Sequence, residues 1–277
     1  MTQKHIFLND RAIITLEGPE RKKLLQGLIT ADINKLKQGQ GLYAALLSAQ
    51  GKYLHDFFLS EWQDILFLDC EKERLPDLLR RLMMYRLRSD VEITDQSEKY
   101  HVLSCAMADS KLEKIYADPR HPAMGYRAIV TADKDQTAEY APLEKYDEKR
   151  LALGLCDGSR DLEVDKTFIL EANMMEMHGI DFEKGCFIGQ EVAARMRYRA
   201  SLKKRILPVE VNGPLPPPDT PILDEDQKKI GHIRSGRGQR AMAYLRLDRM
   251  EFDKIYFCGP AKLTPLEPDW LKEASNG

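Results

Sequence analysis

The sequence has no long apolar run and no excess of either charge. The apolar candidate at residues 44–47 is far shorter than the roughly 18 residues that cross a bilayer. Its 42 basic and 44 acidic side chains give a formal net charge of −2, which argues against binding of nucleic acid or membrane through global charge. Any anion site in this chain must therefore be local.

Cysteine is scarce and scattered. The chain has five cysteines, none of them in a C-x-x-C pair: Cys70, Cys105, Cys156, Cys186 and Cys258. This spacing indicates neither a disulfide framework nor a zinc knuckle. Residues 1–11 also lack the basic start and apolar stretch of a secretory signal. We therefore expect a protein of the reducing cytoplasm with no membrane attachment.

Histidines at metal-ligand spacing are absent, as are the H-E-x-x-H and G-x-S-x-G motifs. We therefore predict no metal site and no serine hydrolase. His55 and Asp56 form the only adjacent imidazole and carboxylate pair, which makes them candidates for proton transfer. Because adjacent strand residues point to opposite faces, the two side chains are not expected to act directly on each other.

The predicted elements mix short strands and helices without regular βαβ alternation, which favours an antiparallel α+β fold. We predict a strand over residues 12–16, a helix over 21–35 and a hairpin that turns at Gln50-Gly51-Lys52. From about residue 200 onward, short strand-like runs separated by turns predict a small all-β module.

The most unusual segment is DFEKGCFIGQEVAARMRYR at residues 181–199. Gly185 and Gly189 bracket Cys186, and a helix is predicted to start at Gln190-Glu191. A thiol just ahead of a helix N-terminus and near the Lys184 ammonium is expected to favour the reactive thiolate. The alternative interpretation is a small buried hydrophobic residue in a tight loop.

A basic run follows that segment and predicts a local anion patch for a carboxylated or phosphorylated ligand or for RNA. Its members are Arg195, Arg197, Arg199, Lys203, Lys204 and Arg205. The alternative is the solvated edge of a helix that runs into a strand.

The motif KGCFIGQE at residues 184–191 closely resembles the signature of the YgfZ-type folate-binding proteins, which are relatives of the glycine-cleavage T-protein. Further similar blocks cover nearly the whole chain: LEG at 16–18 with LQGLITAD at 25–32, residues 45–56 around QGK, LEAN at 170–173 with GIDF at 179–182, and residues 231–248.

The resemblance implies an α+β fold of T-protein type, in which two lobes with antiparallel sheets and a small C-terminal β-barrel surround a central hole that accepts tetrahydrofolate. It implies a folate-binding region at residues 1–199, with a break between its lobes near 90–100, and a barrel at 200–277. The implied partners are folate and iron-sulfur client or assembly proteins. The implied site residues are Lys184, Gly185, Cys186, Gly189, Gln190, Glu191, the following Arg195, and Asn173 of the preceding block.

Two departures from the family pattern concern the folate site. Where the T-protein has paired aspartates, this chain has His55 and Asp56, so aminomethyl transfer is disfavoured. Arg11 and Arg150 stand where some bacterial members place tryptophans against folate. A guanidinium can stack on a pterin or pair with the glutamate tail, so these arginines are candidate folate ligands with a different binding mode.

Three functions are consistent with the sequence. The first is a folate-binding accessory factor that supports assembly or repair of iron-sulfur clusters, including those of tRNA thiomethylation enzymes, through Cys186. The second is a folate-dependent methyl or aminomethyl transferase in which Asp56 or His55 handles the proton. The third, a tRNA-binding module, ranks last because the net charge is negative.

Overall fold

The computed structural model describes residues 4–135, 139–198 and 202–275. The strands are β1 (Ile6–Phe7), β2 (Arg11–Glu17), β3 (Gly41–Leu47), β4 (Tyr53–Trp62), β5 (Ile65–Glu71), β6 (Glu92–Asp95), β7 (Tyr100–Cys105), β8 (Lys114–Ala117), β9 (Tyr126–Thr131), β10 (Lys204–Asn212), β11 (Pro221–Leu223), β12 (Lys229–Arg237), β13 (Arg240–Arg246), β14 (Tyr256–Cys258) and β15 (Ala261–Pro265). The helices are α1 (Arg21–Gln26), α2 (Leu75–Arg86), α3 (Ala132–Asp135), α4 (Glu144–Ala152), α5 (Gly158–Asp161), α6 (Gln190–Tyr198) and α7 (Asp269–Ser275). None of the described helices is both long and apolar enough to span a bilayer.

The first sheet has five antiparallel strands in the order β3-β4-β5-β2-β6. The predicted hairpin is present, because β3 pairs with β4 across a turn in which Gly51 has a φ of +72°. Phe57 of β4 packs in the apolar core under α1 and α2, whereas the neighbouring Phe58 belongs to the core that reaches the centre of the molecule. The sheet therefore buries both of its faces.

The predicted helix over residues 21–35 is wrong beyond Gln26, where α1 ends. Ile29 forms a bridge to β3 instead of continuing the helix. The Thr30 hydroxyl holds this path, because it accepts a hydrogen bond of 2.8 Å from the Ala45 amide of β3. A tertiary contact thus overrides the helical periodicity of the sequence.

The second sheet has four strands in the order β1-β7-β9-β8. The first strand, β1, belongs to this sheet, because its Ile6 pairs with Ser104 of β7. The chain then forms the first sheet and returns to the second sheet at β7. β6 ends the first sheet at Asp95, and β7 begins at Tyr100. The division of the chain into regions 1–199 and 200–277 stays a prediction, and its boundary lies outside the described residues.

The C-terminal strands close into a six-stranded barrel in the order β10-β13-β12-β11-β14-β15. The proline-rich stretch at 213–221 connects β10 to β11. This arrangement confirms the predicted all-β module and the antiparallel α+β fold class.

Charged side chains line the junction of the two sheets and the barrel. We call this group the central ion network; it contains five arginines and five aspartates, Arg11, Arg120, Arg127, Arg150, Arg160, Asp69, Asp118, Asp147, Asp157 and Asp161. Their charges therefore balance. Burial raises the pKa values of Asp118, Asp147 and Asp157, but the neighbouring guanidinium groups outweigh it and hold all three below their usual range.

Asp69 of β5 is the most deeply buried acid of this network, with no exposed surface. Arg127 of β9 donates to its carboxylate through Nε at 3.0 Å and Nη2 at 2.5 Å. Arg11 of β2 donates through Nε at 2.6 Å. The pair Asp69–Arg127 thus joins the first sheet to the second.

On the barrel side, Arg150 of α4 performs the corresponding task. It donates to Asp147 at 2.8 Å, to Asp161 at 2.9 Å and to the Ser235 hydroxyl of β12 at 2.8 Å. This buried guanidinium therefore joins the helix layer to the barrel.

Replacing Arg127 by methionine should destabilise the fold strongly, because it leaves the buried Asp69 carboxylate with Arg11 alone. Removing one partner of a buried pair costs about 3–5 kcal/mol. Urea unfolding followed by circular dichroism measures the loss. The control is Lys145→Met, which breaks an exposed pair with Glu148 and should shift the midpoint little. Equal shifts for both variants would contradict the assigned role of Arg127.

Candidate functional site

The cysteine loop, residues 184–189, presents an exposed thiol just before α6. Cys186 is exposed, whereas the other four cysteines are buried. Gly185 and Gly189 have φ values of +93° and +81°, which side-chain-bearing residues rarely adopt. The predicted helix start at Gln190 is confirmed. The interpretation of Cys186 as a small buried residue is wrong.

A close backbone contact joins the cysteine loop to the turn between β3 and β4. A Cβ on Gly189 would stand 2.7 Å from the Ser48 carbonyl oxygen and 2.9 Å from the Gly51 Cα. A Cβ on Gly51 would in turn stand 3.0 Å from the Gly189 carbonyl oxygen. Both positions therefore need glycine, and the turn of one sequence block supports the loop of another.

Lys184 anchors the loop to a third block. Its ammonium donates to the Ile29 carbonyl at 2.6 Å and to the Ala31 carbonyl at 2.9 Å, while Gln26 donates to the Lys184 carbonyl at 3.1 Å. Burial lowers the pKa of Lys184 to about 8. The activation of the Cys186 thiol by this ammonium stays a prediction, because the hydrogen bonds of the ammonium go to backbone carbonyls.

The remaining residues of the motif lie along α6. Glu191 accepts a hydrogen bond of 2.7 Å from Arg195, and both side chains are largely exposed. The backbone N–H of Gln190 donates to the backbone carbonyl of Phe187 at 3.2 Å, so the loop continues directly into the helix. Their predicted role toward folate stays a prediction.

Asn173 lies at a different place, where the segment before the cysteine loop meets the barrel. It has a φ of +62°, is fully buried, and donates through Nδ2 to the Ile206 carbonyl of β10 at 2.7 Å. Its Oδ1 has no hydrogen-bond partner among the described residues. Asn173 therefore links the segment before the cysteine loop to strand β10 of the barrel.

His55 and Asp56 point to opposite sides of the first sheet, as predicted. The His55 Nε2 lies 2.9 Å from the Asp77 carboxylate of α2, and burial lowers the pKa of His55 to about 4. Asp56 accepts hydrogen bonds of 2.8 Å from the hydroxyls of both Tyr43 and Tyr53 and is 5% exposed. Neither side chain is free to pass a proton to a bound substrate.

The arrangement at the centre does not fit tetrahydrofolate. Arg127 and Arg120 lie 3.9 Å and 4.8 Å from the Phe58 ring centre, so guanidinium groups already cover this aromatic ring. Arg11 and Arg150, the predicted folate ligands, donate to protein acceptors within the central ion network.

A cavity of about 370 Å³ does remain beside Arg11. Its lining consists of polar residues and one glycine: Asn9, Asp10, Arg11, Glu71, Lys72, Glu73, Asp157, Gly158 and Arg160. Binding pockets for heterocycles are usually lined by apolar and aromatic side chains, and this lining has none. The other predicted folate residues, on the cysteine loop, on α6 and at Asn173, do not line it.

The predicted anion patch at residues 195–205 is not one surface. Arg195 pairs with Glu191, and Arg197 lies 4.6 Å from the centre of the Phe182 ring. Arg205 turns inward and donates to Glu176 at 2.7 Å, with the side chains 9% and 6% exposed. Lys203 and Lys204 are exposed, and Arg199 lies outside the described residues.

The sequence did not predict one possible group of metal ligands, because its three members are far apart along the chain. Ligand atoms of Glu163, Asp219 and His232 lie within 4.8 Å of one another. The Arg234 guanidinium is 2.5 Å from Asp219 and 3.9 Å from Glu163, and the Lys166 ammonium is 3.1 Å from Glu163. Two cations therefore already balance the two carboxylates. We therefore interpret it as a salt-bridged cluster.

Comparison with known proteins agrees with this architecture. Residues 203–273 match the family model described as the CAF17 C-terminal beta-barrel domain. The chain is also similar to the crystal structure of glycine cleavage system aminomethyltransferase T from Bartonella henselae, with a TM-score of 0.77, 15% identity, and coverage of 98% of this chain and 87% of that one. The predicted T-protein-like fold is confirmed.

Two relatives carry sequence similarity as well. One is the mitochondrial iron-sulfur cluster assembly factor IBA57 homolog of Mycosarcoma maydis, 32% identical over 78% of this chain. This chain spans only 59% of the length of that relative. The other is mitochondrial IBA57 of Mus musculus, 28% identical over 97% of this chain and 85% of the relative.

These names bear on two predictions. Both relatives are named as mitochondrial proteins, which overturns the expectation of a cytoplasmic protein. Cysteine spacing was the basis of that expectation, and it separates reducing from oxidising surroundings without distinguishing one reducing compartment from another. The YgfZ-type assignment stays a prediction, since these relatives are named IBA57.

Thiol counting tests the exposure of the cysteine loop. We expect one thiol per native chain to react rapidly with a disulfide reagent and all five to react in guanidinium. Burial raises the pKa values of Cys70 and Cys105 to about 12 and of Cys258 to about 11, so these thiols should stay unreactive at neutral pH. Cys186→Ala should remove the rapid phase, and a rapid phase that survives in this variant would contradict the assignment.

Proposed function

We propose that this chain is an iron-sulfur cluster assembly factor and that Cys186 is the residue that meets the iron or sulfur of its substrate. The observation that carries the proposal is the exposure of this thiol on a loop that three sequence blocks hold in place. The names of the relatives support the same function.

The chemistry of one thiol defines what the factor does with a cluster. A cysteine thiolate ligates iron, and clusters are held by about four such ligands. Among the described residues, the one group of three or more potential metal ligands is Glu163, Asp219 and His232, which does not include Cys186. We therefore propose that Cys186 supplies one ligand and that the others come from a second protein that carries or receives the cluster.

The loop is built to present this thiol in a constant position. Gly51 and Gly189 allow the direct contact between the loop and the β3–β4 turn, and Lys184 ties the loop to the segment after α1. The partners are iron-sulfur client or assembly proteins, and tRNA thiomethylation enzymes are among the clients that the YgfZ resemblance implies.

Complementation tests the role of Cys186. In cells whose own gene is deleted, the wild-type protein should restore the activity of cluster-dependent enzymes, whereas Cys186→Ala should leave it near the level of the empty vector. The matched control is Cys258→Ala, which removes a buried thiol of the barrel and should complement fully at equal protein level. Full complementation by Cys186→Ala would refute the proposal.

The family resemblance is the basis for expecting tetrahydrofolate binding, whereas the polar lining of the cavity beside Arg11 gives no support for it. The proposed function therefore includes no step through folate. In an anaerobic calorimetric titration with tetrahydrofolate, we expect no saturable heat from the wild-type protein, because Arg11 and Arg150 are engaged in the central ion network. Saturable binding that Arg11→Ala abolishes and Cys186→Ala keeps would overturn this expectation and place folate beside Arg11.

A further inference from the structure

A basic pocket lies on the barrel, away from the cysteine loop in sequence. We call it the barrel pocket; it has a volume of about 340 Å³ and is lined by Lys204, Lys229, His232, Tyr244, Arg246 and Arg249, with Gly231 between. Its lining contains four permanent cations and no carboxylate. In a chain with a net charge of −2, this is a strong local imbalance.

Strand register creates the pocket. Lys204 of β10 pairs directly with Arg246 of β13, and Tyr244 two residues earlier pairs with His232 of β12. Like charges placed directly opposite each other on adjacent strands destabilise a sheet. The Lys204–Arg246 pair therefore lowers the stability of the barrel, and the barrel fold does not require two cations at these positions.

Few acidic groups offset these cations. Arg246 donates to Asp248 at 3.2 Å and 3.0 Å, and Arg249 approaches the same carboxylate at 4.0 Å. Arg249 also donates to the Lys229 carbonyl at 3.4 Å. In the described part of the chain, Lys204 and Lys229 have no carboxylate within ion-pair distance. The pocket thus has an unmatched positive charge and two guanidinium groups already oriented by protein contacts.

We infer that the barrel pocket binds a small phosphorylated anion, a phosphomonoester or a diphosphate. A phosphate group carries about −1.5 to −2 charges and three acceptor oxygens, which suits several converging cations better than a single carboxylate does. Arginine forks match phosphate geometry, and the lysines add mobile point charges. This inference involves neither Cys186 nor the proposed function.

The pocket does not have the features of a nucleic-acid track. Single-stranded nucleic acid stacks its bases on exposed aromatic faces. The aromatic ring here, that of Tyr244, has the Lys204 ammonium 5.2 Å from its centre, and its hydroxyl donates to Glu171 at 2.5 Å. The concave shape and engaged ring favour a compact ligand.

Calorimetric titration of the full chain with pyrophosphate at low ionic strength tests the inference. We expect saturable binding of one pyrophosphate per chain, about tenfold weaker in the double variant Lys204→Gln, Lys229→Gln. The matched control is Lys262→Gln, an exposed lysine on β15 of the same barrel, which should bind like wild type. Arg249→Gln is a second pocket variant in case the double variant does not fold.

Two results would overturn the inference. One is the absence of saturable pyrophosphate binding to the wild-type chain, and the other is equal loss in the pocket variants and in Lys262→Gln. If pyrophosphate does not bind but an oligoribonucleotide does, and the pocket variants weaken that binding, the surface serves nucleic acid instead. Because Cys186→Ala should keep pyrophosphate binding, failure here and failure of the proposed function are separable.

Discussion

The buried carboxylate of Asp69 is the constraint on which the arrangement of this molecule depends. An ionised group without exposed surface is tolerated only when it is paired and hydrogen-bonded. Arg11 from the first sheet and Arg127 from the second both supply these bonds. The two sheets therefore cannot slide relative to each other without leaving a charge unpaired. Arg150 extends the same constraint to the barrel through Asp161 and Ser235.

The central ion network determines which side chains are available to a ligand or partner. Ten charged side chains occupy this junction, and the cavity that remains beside Arg11 has a polar lining. The nearby Asp56 carboxylate is covered by two tyrosine hydroxyls. The accessible reactive group is instead Cys186, on a loop at the surface. The Gly51–Gly189 contact and the Lys184 ammonium hold this loop, so the structure fixes the position of the thiol.

Much of this architecture was predictable from the sequence, because the local sequence patterns favour the same elements that the tertiary structure contains. The hairpin at Gly51, the start of α6 at Gln190 and the C-terminal β module follow from turn residues and periodicity. The family resemblance implied that this module closes into a barrel, as it does. The helix over residues 21–35 failed beyond Gln26, since the Thr30 hydroxyl bonds to a strand that is distant along the chain. No local pattern contains that information.

The same limit explains the candidate sites. The sequence singled out Cys186 through the KGCFIGQE motif, and it predicted that the Lys184 ammonium acts on this thiol. In the structure this ammonium donates to two backbone carbonyls. Likewise, Arg11 and Arg150 look like free ligands in the sequence, and their engagement depends on aspartates from other elements.

The basic run shows most directly why a charge cluster in a sequence differs from a charged surface. Adjacent residues on a strand face opposite sides, so Lys204 stays outside while Arg205 enters the interior to pair with Glu176. The cations that join Lys204 are Lys229, Arg246 and Arg249, from two later segments, and pairing between β10, β13 and β12 brings them together. On a β-barrel, an anion site therefore depends on the register of the strands, and a run of basic residues marks at most one member of it.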